Sequence, residues 1–132
     1  MGVTTTGLYA IADLIAGNGV WRAFSSANAY LGVGDGQTAF TAGQTTLVGT
    51  TNTQWKACDS VTVTNNSIVF VATFATTDAV FTWYENGVFN GSGSQTFGTA
   101  PYAMITRAQE NLITKTSDEE VVFTKTLVIA SA

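Results

Sequence analysis

The chain has 132 residues, of which 45% are hydrophobic and only 11% are charged, and its formal net charge at pH 7 is −4. This length suits one domain with a hydrophobic core of its own. The five basic residues do not cluster and no apolar run could span a membrane, so neither a nucleic acid nor a membrane is expected as a partner.

One helix is predicted near the N-terminus, in the stretch TTTGLYAIADLIAGNG. Apolar residues recur there at i, i+3, i+4 and i+7 and form one stripe, which consists of Leu8, Ile11, Ala12 and Ile15. Thr6 is expected to N-cap the helix, and Gly17 with Gly19 to end it. Residues 1–19 are therefore assigned to a helical segment, and residues 20–132 to a β-sandwich.

The first half of the sandwich region contains several strand patterns. VWRAF (20–24) and AYLGV (29–33) predict short strands, and the Gly-, Thr- and Gln-rich residues 34–54 predict a loop with at most one short edge strand. WKACDSVTVT (55–64) predicts one strand that reaches the turn dipeptide Asn65-Asn66. SIVFVATFA (67–75) follows at once, so the two form a hairpin with a two-residue turn. Both faces of this second strand are largely apolar, which indicates a central strand covered on both sides.

The second half continues in the same way. AVFTWYENGVF (79–89) predicts a strand in which Gly87 marks a bulge or a close approach of another backbone. YAMITRA and EVVFTKTLVIA predict two more strands, joined by the charged connection QENLITKTSDEE. Seven or eight strands and one helix predict an all-β fold, an antiparallel β-sandwich or jelly roll that spans residues 1–132 as a single domain.

Most catalytic chemistry has no residues to support it in this sequence. Histidine is absent and there is one cysteine, which removes the commonest general base and metal ligand. An enzyme, a cofactor and a metal site are therefore not expected. The GVGDG stretch around Gly34, Asp35 and Gly36 matches neither phosphate-binding glycine motif, so it predicts a tight turn with positive φ at one of the two glycines.

Glu85 is the one acid that directly follows an apolar and aromatic run, in FTWYENGVF. A glycosidase would need a second carboxylate within about 5–10 Å of it; Asp78 lies too far along the same strand, whereas Asp59 and Asp35 stay open as partners. The alternative is a structural role, in which Glu85 accepts hydrogen bonds from backbone N–H groups near Gly87 or pairs with Arg107. The structural interpretation is preferred.

A series of motifs runs in order from Gly7 to Ile129: YLGVGDGQTAF, QTTLVG, NSIVFVATF, WYENGVFN, MITRA, TKT and TLVIA. This order resembles a family of small virion structural proteins of tailed bacteriophages, the capsid decoration or cement proteins. The resemblance implies that the matching positions define the fold and form no active site. These positions are Gly34, Gly36, Thr38, Phe40, Trp83, Glu85, Gly87, Phe89, Met104, Arg107, Lys115 and Thr116, with Asp35 between the two glycines.

The resemblance implies a protein without cofactors that is made in the host cytoplasm and binds the major capsid protein lattice on the capsid exterior. It also implies a homo-oligomer, with a trimer favoured. Aromatic residues in polar stretches are the predicted anchors of such an interface: Phe40, Trp55, Phe97 and Tyr102.

Two other functions stay open at this point. LGVGDG also resembles the N-terminal domain of phage tail-collar fibre proteins, which would make the chain a tail, baseplate or fibre-attachment protein. A carbohydrate-binding sandwich would instead use exposed tryptophans, from among Trp21, Trp55 and Trp83, to stack on sugars.

Overall fold

The computed structural model of the protein describes residues 2–19, 21, 23–91 and 103–130. Within these ranges the elements are β1 (Gly2–Val3), α1 (Thr5–Ala16), β2 (Ala29–Gly34), β3 (Thr53–Ala57), β4 (Ser60–Thr64), β5 (Ser67–Phe74), β6 (Thr82–Asn90), β7 (Ala103–Thr114) and β8 (Val121–Val128). The strands pair antiparallel in two sheets, one ordered β1-β7-β6-β2-β3 and the other β4-β5-β8. The predicted fold class, an all-β sandwich-like fold with a short N-terminal helix, is confirmed.

The main core lies between the two sheets. Alternate residues of each strand point into it, and its fully buried aromatic residues are Phe70, Phe74 and Trp83. The Trp83 ring packs edge-on against Phe74, with ring centroids 4.9 Å apart, and against Phe123, at 5.8 Å. Because Trp83 belongs to β6 and the two phenylalanines to β5 and β8, these contacts join one sheet to the other.

A second core covers the opposite face of the five-stranded sheet. It contains Tyr30, Leu47, Trp55, Phe89 and Met104. Leu47 belongs to the long loop between β2 and β3, which we call the 35–52 loop. A loop was predicted here, and the short edge strand that the sequence allowed does not form within it. The five-stranded sheet is therefore covered on both faces, which explains why every residue of β2 is buried.

Helix α1 differs from its prediction at its start and in its buried face. Thr4, not Thr6, is the N-cap, and its side chain accepts a hydrogen bond from the Gly7 N–H. The fully buried helix residues are Gly7 and Ala10. The helix backbone lies so close to β7 at Gly7 that an added Cβ would collide with the Ile105 carbonyl. The predicted stripe is consequently not the buried face, and Ile15 is 83% exposed.

Three strand predictions need correction. No strand forms at the described residues of 20–24, while the predicted strand 55–64 is broken at Cys58 and Asp59, where the chain passes from one sheet to the other. The charged connection predicted at 109–120 is shorter, because β7 continues to Thr114. β1 was not predicted, since two residues are too few to carry a pattern.

The predicted hairpin at Asn65-Asn66 is confirmed, with Thr64 paired to Ser67 and Asn65 at φ 54°. The strand after it, β5, is central in its sheet. Only one of its faces is buried, however, because Val69, Val71 and Thr73 are half-exposed.

Another backbone passes close to Gly87, which confirms one of the two predictions made for this residue. A Cβ at this position would lie 2.5 Å from the Thr106 carbonyl oxygen. The register shifts between β6 and β7 fall elsewhere, between Trp83 and Glu85 and between Val88 and Phe89. The bulge alternative at Gly87 itself is therefore wrong.

Candidate functional site

Glu85 is fully buried on the face of β6 that the 35–52 loop covers. Its Oε1 accepts hydrogen bonds from the Gly36 N–H at 3.2 Å and the Gly49 N–H at 2.7 Å. Its Oε2 accepts from the Val48 N–H at 2.9 Å and from Arg107 Nε at 2.8 Å. All of these partners are donors, so the geometry is that of a carboxylate, which only accepts.

The predicted pairing of Glu85 with Arg107 is confirmed, whereas the predicted backbone donors near Gly87 are wrong. The donors come from the beginning and the end of the 35–52 loop instead. The carboxylate can reach them because it extends over Gly34, where a Cβ would collide with Glu85 Oε1. One side chain of the sheet thereby ties both ends of the loop together.

Arg107 extends the same network to the middle of the loop. Its Nη1 donates to Gln44 Oε1 over 3.2 Å. The Gln44 side chain in turn donates to the Ala39 carbonyl and accepts from the Thr41 N–H. The loop is therefore held by side-chain bonds at its start, middle and end, although it contains no regular secondary structure.

Gly34 and Gly36 of the GVGDG motif leave room for the Glu85 side chain. Neither Gly34 nor Gly36 has a positive φ, so the predicted left-handed turn is wrong. A Cβ on Gly36 would lie 2.5 Å from Val48 Cγ2 and 2.6 Å from Glu85 Oε1. Asp35, between them, accepts from Asn52 Nδ2 at 2.9 Å and so closes the base of the loop.

The structure brings Asp35 and Glu85 together on either side of Gly49. A Cβ on Gly49 would lie 2.7 Å from Asp35 Oδ1 and 3.0 Å from Glu85 Oε1. Both oxygens of Glu85 are already bonded and its side chain has no exposed surface. It therefore has no lone pair directed at a site that a substrate could enter, and this arrangement is that of a structural carboxylate.

Lys115 is the second buried cation, with 1% exposure. Its Nζ donates to the carbonyls of Ala75 at 2.8 Å, Thr76 at 3.3 Å and Thr116 at 3.5 Å. These carbonyls lie in the turns that follow β5 and β7. The lysine therefore fixes two chain turns to each other, which is a structural use of the charge.

Asp78 closes the end of the same turn. It accepts from Lys56 Nζ, from Gln54 Nε2 and from the Ala75 N–H, each at 2.9 Å. Burial raises the pKa of Asp78, but the hydrogen bonds from these three donors outweigh it, so the pKa lies below its ordinary value of 3.8. In the described residues, no group of three or more His, Cys, Asp or Glu side chains could hold a metal ion.

The predicted aromatic anchors differ in how far they are buried. Phe40 is half-buried, with its ring against Gly2. Trp55 lies in β3 and is only 4% exposed, so it belongs to the second core and cannot anchor a partner. Phe97 and Tyr102 lie outside the described residues. The burial of Trp55 and Trp83 also removes two of the three tryptophans that were candidates for stacking on sugars.

The sequence reasoning missed the outer face of the three-stranded sheet. Its residues alternate with those that pack against the main core, and every one of them is Ser, Thr or Val: Ser60, Thr62, Thr64, Ser67, Val69, Val71, Thr73, Val122, Thr124, Thr126 and Val128. We call this surface the Ser/Thr/Val face. The alternation within SVTVT and VVFTKTLV is the signal that could have identified it.

Comparisons of the chain with protein-family models, with curated proteins and with solved structures found no match. In the described part of the chain, no helix is long and apolar enough to cross a membrane.

Proposed function

We propose that this protein is a structural protein of the tailed-bacteriophage virion, a capsid decoration protein that binds the exterior of the assembled head and stabilises it. The proposal rests first on the ordered motifs of the sequence. The contacts of Glu85, Arg107 and Lys115 support it to the extent that all three side chains hold loops and turns, as residues that define a fold would.

The observation that carries the proposal is the Ser/Thr/Val face. None of the residues that form it is charged, whereas about a quarter of the residues of an ordinary soluble domain are charged. One carboxylate touches it at its margin, where Asp59 accepts a hydrogen bond from Thr73 over 2.6 Å. Val122 and Val128 on this face are 60% and 53% exposed. An extended surface of small β-branched side chains suits a flat contact with another protein, since it loses little side-chain entropy on binding.

A decoration protein works by mass action. A protein that binds the assembled lattice, and not the separated subunits, shifts the equilibrium toward the intact shell. Binding of this kind needs a stable surface and no chemistry. The loop network around Glu85 and Arg107 supplies the rigidity, because it fixes a long irregular segment onto the sheet.

The test is to purify particles of the phage that encodes this chain, separate DNA-filled heads from tails and quantify the protein in each fraction. We expect it on the heads, in proportion to the capsid subunits. Its presence only on tails would contradict the head assignment and identify a tail or baseplate module. Its absence from both fractions would contradict a virion role altogether.

A surface variant tests the face itself. Thr124→Lys places a charge on the Ser/Thr/Val face, at an exposed position midway along the edge strand β8, and should abolish rebinding to heads that have been stripped of the protein. Thr46→Lys adds the same charge at an exposed position of the 35–52 loop and should bind as the wild type does. Equal rebinding by both variants would show that the face is not the contact surface.

A further inference from the structure

Strand β4 has one unpaired edge. On one side it pairs with β5 over five consecutive residue pairs without a register shift. On the other side, no strand of the described chain pairs with it. Alternate residues of such an edge direct their N–H and C=O groups away from the sheet, and only water or a further strand can bond them.

β4 lacks the features that normally protect a sheet edge, namely charge, proline, bulges or very short length. Its sequence is SVTVT, without charge, proline or glycine. The opposite edge of the same sheet differs, because β8 carries Lys125, which bonds Glu110 over 3.1 Å. In the five-stranded sheet, the edge strand β3 carries Lys56, which pairs with Asp78, and β1 has only two residues.

The apolar side of β4 is also incompletely covered. Val61 and Val63 both lie on the side that faces the main core. Val61 packs against that core, whereas Val63 is 68% exposed. An exposed valine beside an open edge is a position where an added strand would bury apolar surface.

We propose that β4 is a dimerisation strand, which pairs antiparallel with β4 of a second copy of this chain about a two-fold axis at Thr62. In this register Thr62 faces Thr62, Val61 faces Val63, and Ser60 faces Thr64. The two three-stranded sheets thereby become one six-stranded sheet. Residues that face each other lie on the same side of a sheet, so the hydroxyl row continues across the axis and each Val63 is covered by a Val61.

The occupant is a second copy because the strand is complementary to itself. A two-fold contact requires that the same surface fit itself when rotated, and SVTVT reads almost identically in both directions. Beyond the paired residues, Asp59 of one copy comes next to Asn65 of the other, so an acid meets an amide and no like charges meet. This symmetry makes the assembly a dimer, in contrast to the trimer that the sequence resemblance implies.

The first experiment measures the molar mass of the purified protein by light scattering after size exclusion, over a range of concentrations. The wild type should have twice the chain mass of 13.8 kDa. Thr62→Lys and Thr62→Glu each place like charges across the axis and should raise the dimer dissociation constant by about tenfold or more. An equimolar mixture of the two variants should restore the dimer, because lysine then faces glutamate.

Thr124→Lys is the matched control, since Thr124 is an exposed threonine on the same face but on the opposite edge strand. It should remain a dimer. A monomeric or trimeric wild type, dimers of Thr62→Lys, loss of the dimer in Thr124→Lys, or failure of the mixture to restore it would each overturn the proposal. The measurement uses no phage particle, so its result is independent of the proposed head binding.

A second variant gives a readout that does not depend on a charged residue being tolerated. Directly opposed residues of an antiparallel pair have Cα atoms about 4.5–5.5 Å apart, within the range of a disulfide. Thr62→Cys should therefore form a cross-linked dimer on mild oxidation, and Thr124→Cys should not. The native Cys58 does not compete, because burial and the nearby Asp59 charge raise its pKa to about 12. Absence of the Thr62→Cys cross-link would also overturn the proposal.

Discussion

Arg107 donates through Nε to Oε2 of Glu85 over 2.8 Å, and neither side chain has any exposed surface. The two residues face the same loop from neighbouring strands of the five-stranded sheet, β6 and β7. A buried ion pair adds little net stability when it is complete, but removal of one partner leaves an uncompensated charge. The pair therefore acts mainly to specify one position of the 35–52 loop.

Glu85→Gln tests this role. The substitution removes the charge and places an amide N–H₂ group against donors, so we expect the free energy of unfolding to fall by about 3–5 kcal/mol, as measured by urea denaturation. Glu110→Gln is the control. The side chain of Glu110 is 45% exposed, and its Oε1 accepts from both Lys125 and Asn86. The amide oxygen of glutamine can still accept these bonds, and an exposed ion pair contributes about 1 kcal/mol or less. Similar losses in the two variants would contradict the special role of the buried pair.

Gly36→Ala tests the requirement for space around the carboxylate. The new Cβ would lie 2.5 Å from Val48 Cγ2 and 2.7 Å from the Gly49 N–H nitrogen, so the loop must shift away from Glu85. We expect a loss of about 2 kcal/mol or more in the free energy of unfolding. Gly43→Ala lies in the same loop with no atom within 4 Å of its Cβ and should not destabilise the protein. Equal stabilities of the two variants would show that the loop adjusts freely.

Thr4→Ala tests which residue caps the helix. Thr4 accepts from the Gly7 N–H at 2.9 Å and donates to the Met104 carbonyl at 2.7 Å. Its loss should lower the free energy of unfolding by about 1–2 kcal/mol. Thr6→Ala, at the position that the sequence pattern favours, should have a much smaller effect. The opposite ranking in thermal or urea unfolding would mean that the helix begins two residues later.

Asp78 should contribute a pH-dependent part of the stability. Although burial raises its pKa, the hydrogen bonds from Lys56, Gln54 and Ala75 keep it below the ordinary 3.8. The folded state therefore binds this proton less tightly than the unfolded state does, so the stabilisation is complete above pH 3.8 and is lost as the pH falls through the lowered value.

The measurement compares wild type with Asp78→Asn by urea unfolding from neutral to acidic pH. The difference in the free energy of unfolding should be constant near neutrality and should shrink under acidic conditions. Asp118→Asn, in an exposed turn, controls for the loss of one negative charge. A difference between wild type and Asp78→Asn that does not change with pH would contradict the role assigned to this carboxylate.

The sequence by itself determined the fold class, the hairpin at Asn65-Asn66 and the structural pairing of Glu85 with Arg107. Each of these features follows from a pattern of neighbouring residues or from the chemistry of a single side chain. Alternation of apolar residues predicts strands, a turn dipeptide between two strands predicts a hairpin, and a carboxylate within an apolar run must find donors because its burial unpaired is costly.

Only the tertiary structure decided the donors of Glu85, the buried face of the helix and the break at Cys58 and Asp59. The backbone donors of Glu85 lie 36 to 49 residues away along the chain, and no local pattern specifies which loop will cover a given strand. The helix packs on β7 at Gly7 because only a residue without a side chain lets the backbone come this close to Ile105. Apolar periodicity does not distinguish this face of the helix from the apolar stripe beside it. These outcomes depend on how distant segments fill the same space, which is a property of the packed molecule.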